Sequence, residues 1–107
     1  CTLGWNTYAS MALPGSKLYK EALKNDIELP NSYEAFSFHS YETLPLPTKS
    51  LTAAEVLFLR DEAFNKYHKN EAFLNLIEKK FGKKAVDNIK GMTKIKLKRK
   101  ILENANF

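Results

Sequence analysis

The chain has 107 residues, 44% of them hydrophobic and 27% charged, and its 17 basic and 12 acidic side chains give a net charge of +5. That length supports one modest core. No apolar run approaches the roughly 20 residues that span a bilayer and no basic start leads into an apolar block, so a cytoplasmic protein without membrane partners is expected.

Cys1 is the only cysteine. An internal disulfide framework is therefore excluded, as is a thiolate set for zinc or an iron–sulfur cluster. A matured lipoprotein would begin on cysteine, but a small polar tether would follow it, and Leu3-Gly4-Trp5 is not one. A piece of a longer protein is the expectation. Charge is unevenly placed: residues 1–78 carry 7 basic and 10 acidic side chains, a net −3, whereas residues 79–107 carry 10 and 2, a net +8. Such a basic end suits a nucleic acid, an acidic domain surface or an anionic cofactor.

In chain order, residues 6–12 (NTYASMA) alternate polar and apolar and predict a short strand, closed by the Pro14-Gly15 turn. One strand needs neighbours, so its sheet partners are expected outside this chain, or in a second copy paired edge to edge as a homodimer. Ser16 is the predicted N-cap of a helix from Lys17 to about Asn25, with Leu18, Ala22 and Tyr19 inward. Residues 27–50 hold Pro30, Pro45 and Pro47 together with Tyr33, Phe36, Phe38 and Tyr41. Proline removes backbone donors and the aromatics need cover, which predicts an ordered, irregular connection.

Residues 51–70 form the strongest predicted helix. Thr52 and Glu55 make a capping box, and Val56, Leu59, Ala63 and Tyr67, widened by Leu57 and Phe64, form the inward stripe. Asn70 caps the next helix, to Phe81, with Phe73, Leu74, Ile77 and Phe81 inward and Gly82 as the stop. A short helix bearing Ala85, Val86 and Ile89 should end at Gly91. Thr93 should then begin a fourth through about Glu103, although Ile95 and Leu97 also alternate with lysines as a strand would. The expected fold is mainly α, about four helices after an orphan strand and an irregular segment. It divides into 1–26, 27–50 and a helical domain at 51–107.

Chemistry-bearing constellations are sparse. His39 sits in a loop rich in partners, where it can exchange a proton or add one ligand to a metal held elsewhere, although a lone loop histidine is more often a hydrogen-bonded structural residue. His68 is expected on a solvated helix face. Neither belongs to an HExxH or other ligand spacing. No GxSxG turn or glycine-rich phosphate loop is present, and Asp61 and Glu62 point about 100° apart on a helix, too divergent for an acid/base dyad. Pro14-Gly15-Ser16 reads as an ordinary turn and cap. Lys94, Lys96, Lys98, Arg99 and Lys100 form a basic face suited to docking. Stacking aromatics are missing beside it, which makes nucleic acid the less favoured partner; a small basic helical module binding nucleic acid or protein is the alternative reading.

Met11-Ala12-Leu13-Pro14-Gly15-Ser16-Lys17-Leu18-Tyr19 opens a series of familiar stretches. Ser37-Phe38-His39-Ser40-Tyr41, Leu44-Pro45-Leu46-Pro47-Thr48, the run from Glu55 to Phe64, Lys80-Phe81-Gly82, Met92-Thr93 and Leu97-Lys98-Arg99-Lys100 follow in order. Together they resemble the C-terminal region of cobalamin-binding radical SAM proteins, and in particular the anaerobic magnesium-protoporphyrin IX monomethyl ester oxidative cyclase-like group. The resemblance covers nearly the whole chain.

It implies a parent with a cobalamin-binding domain and a partial α/β barrel, whose CxxxCxxC cysteines hold an iron–sulfur cluster that cleaves S-adenosylmethionine. None of those cysteines is in this chain, so no cofactor and no radical activity are expected of it alone. Residues 1–26 would be the end of the barrel. The partners would be the parent's remaining domains, and the substrate-contact residues would be His39, Tyr41, Tyr33 and Phe38 in a loop over the barrel mouth.

Overall fold

The computed structural model describes residues 4–103. The readings that fall on Cys1 and Leu3, and the end of the predicted 51–107 domain, lie outside the described residues. Among those described there are five α-helices and no strand: α1 (Lys17–Lys24), α2 (Ala53–His68), α3 (Glu71–Phe81), α4 (Lys83–Lys94) and α5 (Lys100–Glu103), with a 3₁₀ turn at Glu34–Phe36. A mainly α class is what the pattern predicts. No helix among the described residues is long and apolar enough to cross a membrane.

The local start signals act as expected. Ser16 Oγ accepts from the Tyr19 N–H and donates to the Leu13 carbonyl at 2.6 Å. Gly15 takes φ 86° just before it, in the left-handed region that glycine reaches without steric cost. At α2 the capping box closes both ways: Glu55 Oε2 accepts from the Thr52 N–H at 2.8 Å and Thr52 Oγ1 accepts from the Glu55 N–H at 3.2 Å. Thr52→Ala is expected to lower stability by about 1 kcal/mol, read from urea denaturation. A change under a few tenths would mean the box contributes nothing.

Chain contacts group the described residues into two units, each made of two stretches of chain. One takes residues 4–7 together with Arg60–Lys96, the other Tyr8–Leu59 together with residues 97–103. In the first, α3 packs on α4 and Phe73, Ile77 and Val86 form the buried core, with Tyr67, Leu74, Ala85 and Ile89 against it. Asn70 caps α3 by accepting from the Phe73 N–H, and Gly82 at φ 88° makes the one-residue break into α4. Arg60 ties the N-terminal residues to α2, donating to the Thr7 carbonyl at 3.0 Å and to Asn6 Oδ1 at 2.7 Å.

The second unit has a core of small side chains. Its buried residues are Ala9, Ala12, Ala22 and Ala35 with Leu57, Thr43, Pro45 and Arg99. Backbone bonds link its segments: the Leu46 N–H donates to the Ser10 carbonyl at 2.8 Å, and the Leu44 N–H to that of Ala35 at 3.4 Å. Residues 6–12 pair with no strand among the described residues. Residues 27–50 are irregular apart from the 3₁₀ turn.

Several details differ from expectation. Leu18 and Leu59 are exposed, as is Phe81 at 57%. On α2 Leu57 is buried and Val56, Ala63, Phe64 and Tyr67 are half-buried, as the predicted stripe has them, but His68, expected on a solvated face, is buried as well. His68 can be interior because its Nδ1 lies 2.8 Å from the Phe64 carbonyl, which can only accept; the ring therefore carries its proton on Nδ1. Phe64 and Tyr67 pack around it.

α4 runs through Gly91 instead of ending there. Its last turn is fixed by Thr93, buried and donating to the Lys90 carbonyl at 3.1 Å, and a mid-helix glycine costs only about 1 kcal/mol. The predicted fourth helix is reduced to α5. Ile95 is extended, at φ −77° and ψ 114°, and residues 95–99 are not helical.

Candidate functional site

Residues 33–42 and the chain from Leu97 to Glu103 build the candidate site within one unit. The irregular loop cannot hold itself by helical bonds; it has the 3₁₀ turn and two tight backbone bonds, Ser40 N–H to Ser37 and Thr43 N–H to Ser40. What fixes it is Arg99. This side chain is buried, at 2% exposure. Its Nη1 donates to the Phe38 carbonyl and, at 3.5 Å, to that of Ser40, while the guanidinium lies 5.4 Å from the centre of the Phe38 ring.

The next residues complete a clasp. The Lys100 N–H donates to the Tyr41 carbonyl at 2.9 Å, its Nζ is 3.4 Å from Glu42 Oε1, and the Tyr41 hydroxyl donates to Glu103 Oε2 at 2.6 Å. Two segments some 60 positions apart in the chain thus hold each other, and a charged donor is taken up by backbone acceptors that water would otherwise serve.

The four predicted substrate-contact residues have different surroundings. Tyr33, 86% exposed, stands at the N-cap of the 3₁₀ turn. His39 is exposed, with its ring edge-on to Phe38 at 5.5 Å and no hydrogen bond to its imidazole among the described residues. Phe38 is half-buried, between Arg99 and Tyr8, whose ring centre is 5.1 Å away. Tyr41 is engaged with Glu103. The loop therefore presents Tyr33 and His39, while Phe38 and Tyr41 anchor it.

A general base is normally oriented by a second group, and His39 has none here; the arrangement suits contact with a bound molecule better than proton transfer. Among the described residues no group of three His, Cys, Asp or Glu could hold a metal ion.

Hydrogen bonding to Glu103, then partial burial and the negative charges of Glu103 and Glu42, raise the Tyr41 pKa above its ordinary value near 10. The protonated phenol is the form that fits the folded state. Its contribution is complete below the unfolded pKa and is lost as pH rises through the folded one. An ultraviolet titration should therefore show a tyrosine ionising later than the rest, absent in Tyr41→Phe; identical curves would remove the bond from solution.

The residues of the predicted basic docking face divide between the two units. Lys94 closes α4 and Lys96 is exposed, both in the first unit, whereas Lys98, Arg99 and Lys100 belong to the second. Arg99 is turned inward, a correction to its expected place among exposed cations. Its inward role was hidden inside a charge run, where the sequence offers only the alternation of Ile95, Leu97 and Arg99 with lysines, and of these three Arg99 alone is buried.

The first unit also holds an apolar recess of about 450 Å³, walled by Trp5, Tyr67 and Phe73 with Lys66 and Asn70 among its other residues. The rings of Trp5 and Tyr67 stack at 6.3 Å between centres. Sequence reading missed it, since Trp5 and α3 are distant in the chain. Compared with known proteins, the chain matches no family model, no curated protein and no solved structure.

Proposed function

We propose that the chain is the non-catalytic C-terminal part of a cobalamin-binding radical SAM oxidoreductase of the magnesium-protoporphyrin monomethyl ester cyclase-like kind, and that the loop at 33–41 contacts its substrate. The observation that carries this reading is a loop, clasped by a buried arginine, that leaves Tyr33 and His39 exposed. Two ring side chains held exposed on a fixed loop are available to meet a bound molecule. The ordered succession of family-like segments supplies the identity of that partner. In the whole protein, residues 6–12 would find the sheet neighbours they lack here, and S-adenosylmethionine, the cluster and cobalamin would all belong to the other domains.

The test begins with the gene. A CxxxCxxC motif upstream in the same reading frame is expected, and the whole protein, purified anaerobically, should contain iron and cleave S-adenosylmethionine. In that protein His39→Ala should leave the cleavage intact and lower kcat/KM for the substrate about tenfold, the loss of one substrate hydrogen bond. No motif and no cluster would end the family assignment; unchanged turnover in His39→Ala would end the role of the loop.

A further inference from the structure

A second recess lies in the first unit. It measures about 310 Å³ and is lined by His68, Lys69, Leu74, Lys90, Thr93 and Lys94. Three of its six lining side chains are lysines and none is a carboxylate. Lys69 follows α2 directly, while Lys90 and Lys94 stand one turn apart on α4.

Among the described residues none of the three forms an ion pair. Like charges at i and i+4 cost a helix about 0.2–0.5 kcal/mol, so this spacing does not serve the fold. A lysine in the last turn is favourable at a helix C-terminus, which accounts for Lys94 alone. It does not explain Lys69 and Lys90 around the same hollow.

The other walls set what can enter. The Thr93 hydroxyl donates to the Lys90 carbonyl and the His68 Nδ1–H to that of Phe64, so both are held in place by the backbone. That leaves Lys69, Lys90 and Lys94, all three exposed side chains, as the lysines of the lining, with Leu74 as an apolar side. The charge of the unit points the same way: residues 60–96 carry ten basic and five acidic side chains.

We propose that this recess binds a small, multiply charged phosphate-class anion, such as the diphosphate or phosphate ester of a small organic molecule. Its volume is at the small end of ligand pockets, which suits a compact anion better than a polymer backbone crossing a surface. The proposal is independent of the radical SAM reading and stands or falls without it.

Inorganic pyrophosphate, titrated into the 107-residue chain at low ionic strength and followed by amide NMR shifts, tests it. One saturable site is expected, with the shifts concentrated at Lys69, Lys90, Thr93 and Lys94. Lys90→Gln combined with Lys94→Gln should weaken binding about tenfold, and Lys69→Gln, from the other segment, should weaken it less but measurably. Lys79→Gln combined with Lys80→Gln removes equal charge from α3, outside the recess lining, and should change little.

Equal weakening by both double variants would show diffuse surface charge and overturn the site, as would the absence of saturation. Single-stranded RNA or DNA that binds the same lysines more tightly than pyrophosphate, with a steep salt dependence, would replace it with a nucleic-acid surface.

Discussion

Arg99→Ala is expected to destabilise the chain by about 2–4 kcal/mol and to release the loop at 38–42. A hydrogen bond from a charged donor is worth about 1.5–3 kcal/mol, its loss strands the Phe38 carbonyl, and the stacking over the Phe38 ring adds about 0.5–1 kcal/mol. Two measurements read the result. Urea denaturation gives the loss of stability, and amide exchange should show the Lys100 N–H, bonded to the Tyr41 carbonyl, losing its protection. Arg99→Lys keeps the charge without the planar fork and should recover about half. Lys98→Ala, one position earlier and exposed, should stay within about 0.5 kcal/mol. Equal effects at positions 98 and 99 would mean that charge density, not the clasp, sets stability.

That comparison also shows where the sequence was informative. Features decided by neighbours in the chain were legible: the Ser16 and Asn70 caps, the reciprocal box at Thr52 and Glu55, and the break at Gly82. Each depends on residues within four positions of one another. Features decided by distant partners were not. Arg99 reads as one more cation in a lysine run until its acceptors at Phe38 and Ser40 are known.

His68 reads as solvated because imidazole is polar, yet one backbone carbonyl satisfies Nδ1 and lets the rest of the ring pack as an aromatic. Gly91 reads as a stop, but the burial of Val86 and Thr93 on α4 outweighs the cost of one glycine. The candidate loop was legible in composition alone. Which of its rings face outward depends on the clasp, which no local pattern encodes.

α3 provides the sharpest quantitative case, because Phe73 and Phe81 were predicted on the same inward stripe and the fold separates them. Phe73 is 2% exposed, packed with Ile77 and Val86 and in ring contact with Tyr67 and His68. Phe81, two turns on, ends the helix in solvent. Truncating a fully buried phenylalanine removes its transfer free energy and leaves a cavity, so Phe73→Ala should cost about 3–5 kcal/mol. Since single domains have only about 5–15 kcal/mol in total, a small chain with this change should be largely unfolded at moderate temperature. Phe81→Ala should stay within about 0.5 kcal/mol. Thermal melts of the two variants separate the possibilities: a large loss at 73 alone supports the register of α3 on α4, whereas comparable losses at both positions would mean that the helix buries the face its sequence pattern suggests and that Phe81 is covered in solution.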